Sequence, residues 1–172
     1  HADGAQGIDR SHPYLAFDSA RCITCRLCLR ACEEVQGQFV YGIANRGAKA
    51  RLIFTAASEA GGEVTEKFAA SACVACGACV EVCPTEAITD RDRLDKTLAT
   101  TAVHSICGYC GVGCEVAIEA SPERVLRISG VRDAPVNRGH LCAKGRYAHA
   151  YHHSPDRLTT PLLREGETFR AI

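Results

Sequence analysis

The chain has 172 residues, with 20 lysines and arginines balancing 20 aspartates and glutamates. Zero net charge leaves no electrostatic footprint for nucleic acid or an anionic membrane, and no apolar run approaches the roughly 18 residues that a membrane helix needs. Trp and Met are absent and Phe and Tyr number five each, whereas Cys numbers 12. The large side chains that usually fill a core are scarce, so the cysteines must carry part of the stability.

Residues 1–21 are polar apart from Tyr14-Leu15-Ala16-Phe17 and read as an extended lead-in. Cys22, Cys25, Cys28 and Cys32 follow with the spacing C-x2-C-x2-C-x3-C, and Cys32 to about Gln36 reads as the start of a short helix. Phe39–Ile43 and Arg51–Phe54 are strand-like runs around Asn45-Arg46-Gly47, which predicts a hairpin. Gly61-Gly62-Glu63 marks a turn. Cys73, Cys76, Cys79 and Cys83 repeat the first spacing, and Pro84 follows the last. Residues 88–100 carry mixed charge and read as a connection. Val116–Glu119 and Val125–Ile128 are predicted strands flanking the turn Ser121-Pro122-Glu123-Arg124. Ala143–Tyr151 suits a helix apart from Gly145. Glu167–Ile172 alternates polar and apolar like a strand. With His1 at the start and no Met anywhere, this ending makes the chain read as a window on a longer polypeptide.

Three thiolates separated by two residues each can wrap a tight loop around one inorganic cube, with backbone N–H groups turned to its sulfurs. Ala75, Gly77 and Ala78 keep the second loop small. The spacing is similar to the bacterial ferredoxin run for [4Fe-4S] clusters, including Pro84, although Glu33 stands where the first copy would carry proline. In that pattern the fourth cysteine serves the other cluster. The likeness therefore implies one cube on Cys22, Cys25, Cys28 and Cys83, and another on Cys73, Cys76, Cys79 and Cys32. Disulfides are disfavoured because such a run sets its thiols too close for independent bridges. Zinc ordinarily takes two separated pairs.

Cys107, Cys110 and Cys114, with Cys142 further on, form a third group. A four-cysteine zinc site is a fair competitor here on spacing alone. Gly108, Gly111 and Gly113 interleave with the thiols and would let backbone approach a bulky inorganic core. A redox-silent zinc would also leave the neighbouring cubes without an electron partner. Lys144, two residues past Cys142, would place a positive charge beside an anionic centre, and Arg146 could join it in meeting phosphates. His140, His149, His152 and His153 lack a spacing partner and read as polar surface or cofactor-adjacent groups rather than metal ligands. Glu33-Glu34 and Arg132-Asp133 read as solvated faces.

The stretch from Ser105 to Cys114 resembles the opening of the molybdopterin oxidoreductases, specifically formate dehydrogenase alpha subunits. The likeness continues through Asn137–Arg146 and His153–Leu162. The run from Ser11 to Gly37 is similar to the two-cluster ferredoxin insert of cytoplasmic, NAD-linked formate dehydrogenases, and the large subunit of respiratory complex I carries similar segments. The resemblance implies an α+β chain. A two-[4Fe-4S] ferredoxin-like domain over 22–90 and a linker over 91–103 would lead to a small β-rich [4Fe-4S] domain of the molybdopterin oxidoreductase type over 104–172.

It further implies three [4Fe-4S] clusters, and in the full-length protein a molybdenum or tungsten ion held by two pterin guanine dinucleotides. Lys144 would lie between the third cluster and a pterin as an electron relay. No catalytic residue would lie in this chain. Formate or CO2 would be the substrate, and flavin/NAD-binding and [2Fe-2S] subunits the partners. The competing readings are a complex I-type or hydrogenase-type large-subunit fragment, a free-standing polyferredoxin, or a zinc-binding module.

Overall fold

In a computed structural model of the chain, residues 7–55, 64–65, 67–94 and 98–172 are described. The two cysteine runs fold as a structural repeat. In each loop the residues on either side of the middle cysteine take left-handed backbone: Thr24 and Arg26 at φ 56° and 64°, Ala75 and Gly77 at 54° and 74°. Only Gly77 adopts this region without steric penalty. Each loop then enters a short helix, α1 (Leu27–Arg30) and α2 (Ala78–Val82).

The fourth cysteine does not open a helix, contrary to the sequence expectation. Once the loop closes, the chain is already helical at Leu27, and one turn carries Cys32 to the far end. Cys32 lies in a π-helical turn, Ala31–Val35, that ends α1. Cys83 likewise caps α2 in extended backbone.

Around these loops stand five short strands, β1 (Leu15–Phe17), β2 (Tyr41–Ala44), β3 (Arg51–Thr55), β4 (Val64–Thr65) and β5 (Ile88–Asp90). The predicted hairpin is β2–β3, with Tyr41 opposite Phe54 and Ala44 opposite Arg51. Asn45, in the turn, takes φ 63°. β4 extends this sheet, and the predicted turn at 61–63 lies outside the described residues. β1 pairs antiparallel with β5, Leu15 facing Asp90 and Phe17 facing Ile88. The lead-in thus contributes a strand to the first half of the molecule, and Ile88–Asp90 is its partner rather than connection. Leu15, Phe17, Val40, Phe54, Phe68 and Ile88 form the core with Cys28, Cys32 and Cys79. The Phe54 and Phe68 rings stack with centroids 4.5 Å apart.

The second half is an antiparallel sheet of β6 (Thr101–Ile106), β7 (Glu115–Ala120) and β8 (Val125–Gly130) in that order. The predicted turn joins β7 to β8. β6 begins inside the expected linker; its side chains are all exposed, so it carries no apolar alternation to give it away. At the end of β8, a Cβ on Gly130 would stand 2.3 Å from the Gly139 carbonyl oxygen. Only glycine allows that approach. α3 (Ala143–Tyr147) and a 3-10 turn, Ala148–His153, follow. The chain ends in an exposed hairpin of β9 (Leu162–Glu165) and β10 (Thr168–Ala171).

Candidate metal centres

No disulfide joins any of the twelve cysteines. Among the described residues no three His, Cys, Asp or Glu close on a single point as one metal ion would require. The first two sets of four thiols surround spaces instead. One cavity is lined by Cys22, Cys25, Cys28 and Cys83, with Phe17, Leu52 and Ile88 among its walls. The other is lined by Cys32, Cys73, Cys76 and Cys79, with Val40, Tyr41 and Gly77. Counting the part open to solvent, they enclose about 350 and about 290 Å³. Thiol donors around a space of that size fit a bulky, sulfur-ligated group. Each cavity draws three thiols from one run and the fourth from the other.

Burial governs the thiols. It pushes Cys28 up to about 12, with the charges of Cys22, Cys83 and Cys25 adding to the effect. It pushes Cys32 up to about 11, with Cys76 and Cys73 adding to it. Cys79 is raised further. These groups must lose their protons to ligate iron, so loading releases protons. Cys83 moves the other way. Burial raises it, but the backbone N–H groups of Ile88, Thr85 and Ala87 and the Thr85 hydroxyl together outweigh burial and favour the thiolate. In the second loop, left-handed Ala75 turns its N–H to donate to the Cys73 sulfur at 3.4 Å.

The third set lies open at the surface, where Cys110 and Cys142 are exposed. Two backbone devices gather it. The Cys107 N–H donates to the Cys114 carbonyl at 2.8 Å, closing the loop between β6 and β7. Asn137 then ties the incoming segment to β7: its side-chain oxygen accepts from the Glu115 N–H at 2.9 Å, and its amide donates to the Glu115 and His140 carbonyls at 3.1 and 3.0 Å. Cys142 is thereby carried to Cys114. The Cys114 thiol is raised by desolvation and then by the charges of Cys107, Cys110 and Cys142. A Cβ on Gly145 would stand 3.6 Å from the Cys107 sulfur. Among the described residues, no atom stands within 4 Å of where a Cβ would lie on Gly108, Gly111 or Gly113.

Lys144 is exposed beside Cys142. Arg146, expected from the sequence to meet pterin phosphates beside it, points the opposite way and is 1% exposed. Two positions along a helix are about 200° apart, so the two cations sit on opposite faces. The Arg146 guanidinium reaches Glu81 and Asp90, and its side chain fills the space beside Gly77 where a Cβ would clash. It is engaged within the fold and not free for a phosphate.

Of His140, His149, His152 and His153, three make contacts within the fold. His149 is buried with Nδ1 3.1 Å from the Arg146 carbonyl, and His153 Nε2 accepts from the Val125 N–H at 3.0 Å. His152 packs on Tyr151. His140 Nδ1 is buried without a hydrogen-bond partner among the described residues. His12, which no spacing or motif singles out, is also buried. Its Nδ1 accepts from the Tyr14 and Leu15 N–H groups at 3.2 and 3.1 Å and so shapes the entry to β1.

Residues 21–87 match the 4Fe-4S dicluster domain, and residues 100–154 match the molybdopterin oxidoreductase Fe4S4 domain. The chain carries two iron–sulfur domains in tandem. An NADH-quinone oxidoreductase subunit of Rhizobium meliloti is 32% identical over 95% of this chain and 18% of its own length. The alpha subunit of an NADPH-Fe(3+) oxidoreductase of Geobacter sulfurreducens is 31% identical over 88% and 17%. A Staphylococcus haemolyticus protein provisionally named a formate dehydrogenase is 23% identical over 93% and 20%. The chain spans about a fifth of the length of these relatives. Among the described residues no helix is long and apolar enough to cross a membrane.

Proposed function

We propose that the chain is the electron-relay portion of a molybdopterin oxidoreductase subunit, holding three [4Fe-4S] clusters on Cys22, Cys25, Cys28 and Cys83, on Cys73, Cys76, Cys79 and Cys32, and on Cys107, Cys110, Cys114 and Cys142. The observation that carries this reading is the pair of cavities, each lined by four thiols drawn from both runs. When bound, such clusters store and pass single electrons.

The chain's own residues hold and insulate them. Phe17, Leu52 and Ile88 wall the first cavity from water. Backbone N–H groups around Cys83 and Cys73 offset thiolate charge. α3 links the third thiol set to the second cavity, since Gly145 abuts Cys107 while Arg146 abuts Gly77. The relay order is therefore third set, second cavity, first cavity.

At the exposed third set, Lys144 presents its charge at the surface. We assign it to a pterin of a molybdenum or tungsten cofactor there, with formate and CO2 as the substrate pair and flavin, NAD and [2Fe-2S] subunits as the partners, in the cytoplasm. A second reading, a complex I-type subunit, is favoured by the greater identity to the Rhizobium meliloti protein.

Anaerobic iron, sulfide and zinc analysis of the chain tests the cluster count. About 12 irons are expected from three cubes. About eight irons with one zinc would replace the third cluster by a structural zinc site. Formate-dependent NAD reduction by the full-length protein separates the two enzyme readings.

A further inference from the structure

Tyr41 stands in β2 with its ring against Phe54 and Phe68, at centroid distances of 5.8 and 6.0 Å. It is 4% exposed. Its ring lines the second cavity alongside Cys32, Cys73, Cys76 and Cys79. Its hydroxyl is buried, with no partner at full hydrogen-bond geometry among the described residues and the Cys79 thiol as its near neighbour. A buried hydroxyl left unmet is costly, so it calls for an acceptor on the cavity wall. Beside it on the cavity wall is Cys79, itself buried. A phenol keeps its proton near neutral pH and so serves as a donor. Among the described residues no tyrosine lines the first cavity; there the Thr85 hydroxyl lies 3.8 Å from the Cys83 sulfur.

We infer that, with a cluster in the second cavity, the Tyr41 hydroxyl donates a hydrogen bond to the Cys79 sulfur and raises that cluster's reduction potential. The inference rests on the proposed cluster in that cavity. Reduction adds negative charge to the cluster and its ligand sulfurs, and a donor aimed at one of them stabilises the reduced form more than the oxidised form. Tyr41 is a positioning and tuning residue, not a ligand. Because the donor is neutral and enclosed, the effect is local to one cluster and insensitive to salt.

The test is a spectroscopically monitored redox titration of the iron-loaded chain and of Tyr41→Phe. Phenylalanine keeps the ring packing and removes only the oxygen. The expected result is unchanged iron content and one midpoint moved to more negative potential, the other two staying in place. Loss of one charge-assisted hydrogen bond corresponds to about a tenfold change in the reduction equilibrium, or about 59 mV for a one-electron couple. Proton-coupling spectroscopy should also reveal one exchangeable proton more at that cluster in the parent than in Tyr41→Phe, beyond the backbone N–H of Ala75. Three unmoved midpoints, or the same set of exchangeable protons at that cluster in parent and variant, overturn the inference. If the parent chain itself holds no cluster on the Cys79 set, the iron analysis fails first, and the cluster assignment falls rather than the role of Tyr41.

Discussion

Arg146 Nε and Asp90 Oδ1 lie 3.3 Å apart, both side chains almost wholly buried, and they belong to different halves of the chain. The same carboxylate oxygen accepts from the Tyr147 hydroxyl at 2.7 Å. Its other oxygen faces Arg127 Nε at 3.3 Å, and Arg127 also reaches Glu81 and Glu119. Two arginines of the second half therefore share the acids of the first. The Tyr147 ring stacks on Tyr14 with centroids 4.6 Å apart. This junction fixes α3, and with it the third thiol set, against the second cysteine loop.

Arg146→Ala should consequently destabilise the chain by up to about 3 kcal/mol, because Asp90 and Glu81 lose one of the two guanidiniums they share and keep only Arg127. Arg146→Lys should recover little, since a single ammonium cannot reproduce the fork that meets two acids. Urea unfolding of the iron-loaded chain measures both. Parent-like midpoints would show that the two halves are stable without the junction.

Cys32→Ala should deplete the cluster held by Cys73, Cys76 and Cys79 and spare the one held by Cys22, Cys25 and Cys28. Cys32 lines the second cavity and not the first. Iron content should fall by up to four from about 12. Spectroscopic loss confined to the Cys22 set would refute the crossed assignment.

His12 should give the fold an acid limit. Its ring is kept neutral by burial and by Arg91, against the opposing charge of Asp9. Its folded value therefore lies below 6.5. Protonation favours the unfolded chain, so the contribution is complete above about pH 6.5 and is lost as pH falls through the lower folded value. His12→Asn retains an acceptor for the two N–H groups and removes the titration. The difference in unfolding midpoint between parent and variant should widen on acidification in favour of the variant. A constant difference from about pH 8 to about pH 5 would dismiss His12 as the source.

Much of the cluster-binding half is written locally. The two C-x2-C-x2-C-x3-C runs, the hairpin around Asn45 and the β7–β8 turn all depend on neighbours in sequence, and each stands where the residues predict. What escapes is non-local. Arg146 meets Asp90 across 56 positions, and no pattern near Arg146 distinguishes a cation turned inward from one turned to solvent. β1 and β5 are three residues each and pair only because the chain ends of the first half meet. The left-handed Thr24 and Arg26 are hidden because neither residue type favours that backbone; aligning the repeat, Thr24 with Ala75 and Arg26 with Gly77, is the one signal that points to them.

Asn137→Ala should loosen the third thiol set. It removes three hydrogen bonds that tie the Cys142 segment to Glu115 and His140. At roughly 1 kcal/mol each the loss is about 2–3 kcal/mol. The chain should retain the two enclosed clusters and lose metal from the Cys107 set first, seen as faster release to a chelator from one class of iron. Uniform release from all three would place the role of Asn137 in global stability instead.

Lys144 and Arg146 make the sharpest contrast, because two similar residues two positions apart should fail in opposite ways. The Lys144 side chain is exposed rather than packed into the fold, so Lys144→Ala should leave iron content unchanged and shift stability by no more than about 0.5 kcal/mol. Its effect should appear only in the full-length protein. There, cluster reduction after substrate addition, followed by rapid-freeze spectroscopy, should slow. Lys144→Arg keeps the charge but changes the donor geometry, so it should restore the rate only in part. Arg146→Ala should do the reverse, weakening the fold before any electron moves. Equal reduction rates in Lys144→Ala and the parent would remove the bridging role and leave Lys144 as a solvated surface charge.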